Sequence, residues 1–294
     1  MRFREAHRWL SALAIWPGAY AAGAAAMLAQ LCRVDLSAVS IAAAFCAGVS
    51  IFLLDRVKLR DALLDPADAI AAPERMGVIC DAPRLIRSLA ATLLLFAVVL
   101  GSGPFDQSRS VPAQLIGGAT PLVAALGVVL YAGRPRGDRP RPKDRVLLKN
   151  AFVACGIVDL AAGLTVAPAI ASGGQEMSPN LIIAVSVLAA RVFADSALCD
   201  VEDTDADRAY GTRTLPRVLG NERARTLALA LHTACGTALL ALPATRTDAA
   251  TAWGWSTIAV GVLLRVLPTD HLRDPVDAAL GVQAVVVTVV LAAG

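Results

Sequence analysis

Nine stretches of this chain are apolar over about the thickness of a bilayer, with short polar segments between them. They are Trp9–Leu31, Leu36–Leu54, Leu85–Gly103, Val111–Tyr131, Val146–Ala171, Leu181–Cys199, Arg225–Leu242, Thr251–Leu267 and Val276–Ala293. Each is too long and too uniform for a barrel strand, which alternates in polarity and crosses in roughly 9–11 residues. The pattern predicts an all-α, multi-span helical membrane protein with about nine transmembrane helices, in a single domain over residues 1–294. Trp9–Leu31 exceeds the length of a signal-peptide core and leads straight into further spans, so it reads as the first helix.

Composition adds direction to this picture. The 294 residues are 56% hydrophobic, more than a soluble domain needs. With nine spans, one face collects Arg2, Arg4, Arg8, Arg56, Lys58, Arg60, Arg75, Arg84, Arg87, the run RPRGDRPRPKDR, Lys149, Arg208, Arg213, Arg217, Arg223, Arg225, Arg265 and Arg273. The other collects only Arg33, Arg109 and Arg246. The positive-inside rule makes the rich side cytoplasmic. The net charge of +3 therefore belongs to juxtamembrane loops and is no sign of a nucleic-acid partner. The six cysteines show no CxxC spacing, and the three histidines lie far apart, so neither zinc nor disulfides are expected. His232, inside an apolar run, reads as a packed core residue.

The chemistry concentrates where the sixth run ends, in Asp200–Gly220, DVEDTDADRAYGTRTLPRVLG. Asp200, Asp203 and Asp207 are spaced i, i+3, i+7, which stacks them on one face of a helix. Neighbouring carboxylates repel, and a divalent cation removes the repulsion. Mg²⁺ suits them because it takes oxygen ligands and is commonly shared between one or two carboxylates and a substrate phosphate. The alternative is a solvated acidic helix end. A second acid-rich segment, Asp55–Arg84, follows the second run, four spans earlier, as in a weak internal repeat. Within it Asp65, Pro66, Ala67 and Asp68 read as a turn whose acids serve either as ligands or for solubility. Inside the spans, Arg191 and Asp195 are placed to pair at i, i+4, and Asp159 lies roughly 15 Å into its helix. Trp9, Trp16, Trp253 and Trp255 fall near helix ends, as interfacial anchors do.

Together, Asp200–Gly220, the nine-span layout and the segment YAGRPR…LLKN before the fifth span resemble the UbiA superfamily of intramembrane prenyltransferases. The resemblance implies a helical fold around a central cavity open to lipid, and a prenyl diphosphate held through Mg²⁺ by two Asp-rich motifs. The prenyl group then passes to an acceptor, often aromatic, whose identity here is unknown. Asp55, Asp200, Asp203 and Asp207 carry over as catalytic acids. In the first motif Ile51 stands where the family has Asn and Leu59 where it has the last Asp. Asp61 or Asp65 would then join Asp55, Asp200, Asp203 and Asp207 as metal ligands. Arg56, Arg75, Tyr131, Lys149, Asn150 and Arg213 match as substrate-binding residues, with Arg134 a lesser candidate. The same motifs suit a terpene cyclase of the superfamily. A non-catalytic isoprenoid-binding, lipid-binding or transport protein is the reading from another class. The expected partners are a prenyl diphosphate, an acceptor and the lipid bilayer. The expected location is a bacterial plasma membrane, with the N-terminus and both acid-rich loops cytoplasmic.

Overall fold

The computed structural model describes residues 8–61, 64, 66–103, 109–132, 144–173, 179–241, 247–269 and 272–293, and every regular element among them is helical. Eight elements are long and apolar enough to cross a membrane. They are α2 (Ala38–Val57), α5 (Pro83–Ser102), α6 (Val111–Ala132), α7 (Leu148–Leu164) continued by α8 (Val166–Ala171), α9 (Pro179–Glu202), α12 (Asn221–Ala241), α13 (Asp248–Val266) and α14 (Arg273–Ala293).

The first expected span is shorter than its apolar run. Residues 8–12 are helical, the chain turns at Ala14 with φ 57°, and α1 covers only Ile15–Leu31. Seventeen residues rise about 25 Å, less than the roughly 30 Å of a hydrocarbon core. The turn frees carbonyl groups that need donors, and Arg56 of α2 supplies them, donating to Ser11 O at 2.5 Å and Ala12 O at 3.2 Å. The count of about nine thus resolves into eight full-length spans and one short helix.

Each long helix packs on the next, and α14 closes the ring on α1, which also reaches across to α7 and α9. Small residues permit the closest crossings. A Cβ on Gly23 of α1 would lie 2.4 Å from Leu280 O of α14, and one on Gly117 of α6 would lie 2.1 Å from Gly101 O of α5. Membrane helices gain little from the hydrophobic effect against lipid, so close backbone approach and dispersion hold such pairs. Trp253 departs from its expected role as an anchor. It is fully buried, and its Nε1 donates to Gln30 Oε1 at 2.7 Å.

The short helices α3 (Pro66–Ala71), α4 (Pro73–Asp81), α10 (Thr204–Ala209) and α11 (Leu215–Leu219) all belong to the two acid-rich segments. α3 packs against α10, so the two segments meet over one end of the ring. Several basic residues that read as topogenic charge secure helix ends there. Arg87 donates to Lys58 O at 2.9 Å and Val57 O at 3.2 Å at the end of α2, and Arg225 donates to Arg265 O and Leu267 O, both at 2.5 Å, at the end of α13.

Candidate active site

The two acid-rich segments enclose a cavity of about 200 Å³ at the end of the ring where α2 and α9 terminate. Asp55 reaches it from α2, Asp200 from α9, Asp203 from the turn after α9, and Asp207 from α10. Helix α9 stops one residue before Asp203 because Thr204 competes for its last carbonyls. Thr204 Oγ1 donates to Val201 O at 2.8 Å and Asp200 O at 3.2 Å. The helical register survives this break, since Asp207 N donates to Asp203 O at 2.8 Å, and all three acids still face the same space. Arg217 holds the following loop in place by donating to Thr212 O at 2.5 Å and Asp207 O at 3.2 Å.

Each acid meets a different environment. Asp200 is 1% exposed, paired with Lys149 of α7, and its Oδ2 accepts from Asn150 Nδ2 at 3.1 Å. Asn150 itself is buried and donates also to Ser196 Oγ at 3.0 Å, so it orients Asp200 and lies behind the cavity wall. Asp203 pairs with Arg273, at the start of α14. Burial opposes its ionisation, but Arg273 and then Lys149 outweigh burial and hold its carboxyl below the ordinary range. Asp207 goes the other way. Burial, reinforced by Asp200 and Asp203 and only partly countered by Lys149, pushes it up to about 6. Asp55 is bound by Lys58 Nζ at 2.6 Å.

Arg75 of α4, Tyr131 of α6 and Lys149 also line the cavity. Burial first, and the nearby Arg273 second, lower the pKa of Arg75. The ring of Tyr131 stacks on Phe152 with centroids 4.2 Å apart. Beyond that pair lies a second, almost wholly apolar chamber of about 290 Å³ between α2, α6 and α7. The two hollows share Phe52, Asp55, Tyr131, Val153 and Ile157 as common walls. Asp159 lines the apolar chamber.

Other expected residues lie elsewhere. Asp61 is off the cavity, 68% exposed and paired with Arg87 at 2.5 Å. Arg213 is exposed and off the cavity, its backbone N–H donating to Asp144 O at 3.0 Å. Arg56 touches the cavity, but its guanidinium is bonded to the backbone of residues 11 and 12. Asp65 and Arg134 fall outside the described residues. In return the cavity gains Asp68, Asp144, Asp195, Arg273 and Asp277. Arg273 and Asp277 carry a signal that sequence reading passed over, since their i, i+4 spacing opens an apolar helix with both charges on one face.

The donor set suits a hard divalent cation. It is all carboxylate oxygen, and Asp203 Oδ1 and Asp207 Oδ2 are buried without hydrogen-bond partners. Among the described residues no three acidic, histidine or cysteine side chains converge closely enough to hold an ion by themselves. The arrangement therefore fits an ion that brings further oxygen ligands with it.

No protein-family model and no curated protein matches the chain. Solved structures do. An apo UbiA homolog from Aeropyrum pernix K1 superposes with a TM-score of 0.67 at 16% identity, over 95% of this chain and 98% of that one. A UbiA homolog from Archaeoglobus fulgidus bound to DMAPP and Mg²⁺ gives 0.56 at 15% identity, over 95% and 99%. A digeranylgeranylglyceryl phosphate synthase gives 0.52 at 14% identity, over 98% of both chains.

Proposed function

We propose that this chain, which has the fold of the UbiA homologs, transfers a prenyl group from a prenyl diphosphate to an acceptor within the membrane. One observation carries the reading. Acids from two segments about 145 residues apart line one cavity, and that cavity shares a wall with an almost wholly apolar chamber of about 290 Å³. A substrate with an anionic head and an apolar tail matches both compartments. A transporter with intramembrane acids would concentrate them at mid-membrane, whereas these acids gather at the helix ends.

In this reading Asp55, Asp200, Asp203 and Asp207 would hold Mg²⁺. When bound, the ion offsets negative charge on the departing diphosphate. The remaining work belongs to the chain's own side chains. Arg75 and Lys149 offer N–H donors to phosphate oxygens, where charge grows as the bond between oxygen and the allylic carbon breaks. Asn150 keeps Asp200 aimed at the cavity. The Tyr131–Phe152 stack stands at the junction of the two compartments, where a ring face stabilises positive charge on the allylic carbon. The apolar chamber excludes the water that would otherwise capture that carbon. The acceptor nucleophile then bonds to it, and the acceptor's proton is lost. We place the N-terminus and both acid-rich segments on the cytoplasmic side of a bacterial plasma membrane, following the Lys/Arg asymmetry.

The test is diphosphate release by the purified chain with geranylgeranyl diphosphate, Mg²⁺ and a bacterial lipid extract as the source of acceptor, together with mass spectrometry of lipids that co-purify. Release over a range of prenyl lengths and a bound isoprenoid are expected. Neither signal at any chain length sinks the proposal. A cyclic product formed without an acceptor would redirect it to a terpene cyclase.

A further inference from the structure

Two of the acids in the Asp200, Asp203 and Asp207 triplet already have cationic partners from distant helices. Lys149 of α7 sits on Asp200, and Arg273 of α14 sits on Asp203. Both cations line the same cavity as the acids they neutralise, and both side chains are mostly buried. The pairing is incomplete. Asp203 Oδ1 and Asp207 Oδ2 stay buried without partners, and so does Arg75 Nε on the facing wall. Buried polar atoms of that kind are rare unless something else completes them.

Consider a divalent ion that arrives alone. To reach Asp200 or Asp203 it must displace Lys149 or Arg273 from its ion-pair partner, leaving Lys149 only Asp203 and Asp207, or Arg273 only Asp277 and Glu202, as nearby counter-charges. Breaking a buried pair in this way is unfavourable. An ion that arrives with a diphosphate removes the difficulty. The phosphate oxygens accept the displaced N–H groups, and guanidinium in particular matches phosphate with two parallel bonds.

We infer that Lys149 and Arg273 are place-holders that exchange carboxylates for phosphate oxygens on substrate entry, so that Mg²⁺ and diphosphate bind as one coupled event. Arg273 thereby becomes a diphosphate-binding residue contributed by the last helix. The inference rests on the diphosphate reading above and adds an order of assembly to it. Coupling of this kind is reciprocal: each ligand raises the affinity for the other by the same factor.

Calorimetry on the purified full chain in detergent tests it, using MgCl₂ alone, inorganic pyrophosphate alone, and both. In the wild type, pyrophosphate should strengthen Mg²⁺ binding at least about tenfold. Arg273→Gln should shift two affinities in opposite directions. Mg²⁺ alone binds about tenfold more tightly, since nothing has to be displaced, and Mg²⁺ with pyrophosphate binds about tenfold more weakly, since a phosphate partner is gone. Arg273→Lys should fall between. Lys149→Gln reads the same exchange at Asp200, so misfolding of one variant leaves the other decisive. A merely structural pair would weaken both affinities together. Same-sign changes, or equal Mg²⁺ binding by wild type and variants, overturn the inference alone. A wild type that takes up no Mg²⁺–pyrophosphate overturns the diphosphate reading and this inference with it.

Discussion

Asp203 and Asp195 stand eight residues apart along α9 and the turn that ends it, about 12 Å by helix rise, yet they are held in opposite ways. Among the described residues Asp203 has a single ion-pair partner, Arg273, reaching it from the start of α14, with Lys149 and Arg75 nearby. Asp195 is surrounded. Tyr20 Oη donates to its Oδ2 at 2.7 Å, His232 Nε2 lies 3.0 Å from its Oδ1, and Arg191 Nε lies 3.5 Å from Oδ2. Arg191 continues the network by donating to Thr257 Oγ1 at 3.2 Å, and Gln283 Nε2 donates to Ser256 Oγ at 2.5 Å and Thr257 Oγ1 at 3.2 Å. This inner network ties α9 to α1, α12, α13 and α14. Charge inside a membrane is costly, and the two regions meet that cost differently. The inner region fixes its charges with partners anchored on the helices around it. The mouth leaves its charges with long side chains that are free to change partner, as a binding site requires.

Substitutions can break this contrast. The largest expected effect is at the mouth. Asp203→Ala should lower Mg²⁺-dependent diphosphate release about 10³-fold, with a smaller loss of thermal stability than at Asp195, since Arg273 keeps Asp277 and Glu202 as nearby counter-charges. Chelation by EDTA should do the same. Full activity in Asp203→Ala would remove the mouth from the mechanism. In the inner network the outcome reverses. Asp195 also lines the cavity but is the counter-charge of the fully buried Arg191, so Asp195→Ala should cost about 3–5 kcal/mol of stability, measured by thermal unfolding. A stable Asp195→Ala would show that the inner charges are not a structural lock.

A smaller effect sharpens the comparison. Gly23→Val inserts atoms where α1 meets the backbone of α14, and should cost about 1–3 kcal/mol through overpacking. Because Tyr20 sits one turn away on α1, the same change should loosen its bond to Asp195, visible as a shifted tyrosine signal in ultraviolet resonance Raman spectra. The smallest effects belong to residues off the cavity. Arg213→Gln and Asp61→Asn should leave diphosphate release within about twofold of the wild type. A large loss in either would enlarge the site beyond the cavity described.

How much of this was legible beforehand differs by feature. The spans follow from run length alone, because a bilayer imposes a minimum apolar stretch on any helix that crosses it. The triplet Asp200, Asp203 and Asp207 is equally local, since its spacing sets a shared face even across the break at Asp203. The Arg191–Asp195 pair is local too. His232 read as core packing and is core, but its partner lies on another helix, and spacing along one segment carries no information about that. The short α1 was hidden because a left-handed residue at Ala14 interrupts a run whose hydropathy does not change.

What the chain determined by itself is therefore everything set within one segment: the apolar helices, the charge asymmetry of their loops, and the acidic face at the end of α9. The tertiary structure decided which of many similar charges would share a cavity. Asp55 and Asp68 entered it while Asp61 turned outward to Arg87, and Arg273 came to Asp203 across 70 residues. The physical reason is that an aspartate at a helix end has the same intrinsic properties in either place. Helix rotation and the closure of α14 on α1 select its neighbours, and those depend on contacts that no local pattern encodes.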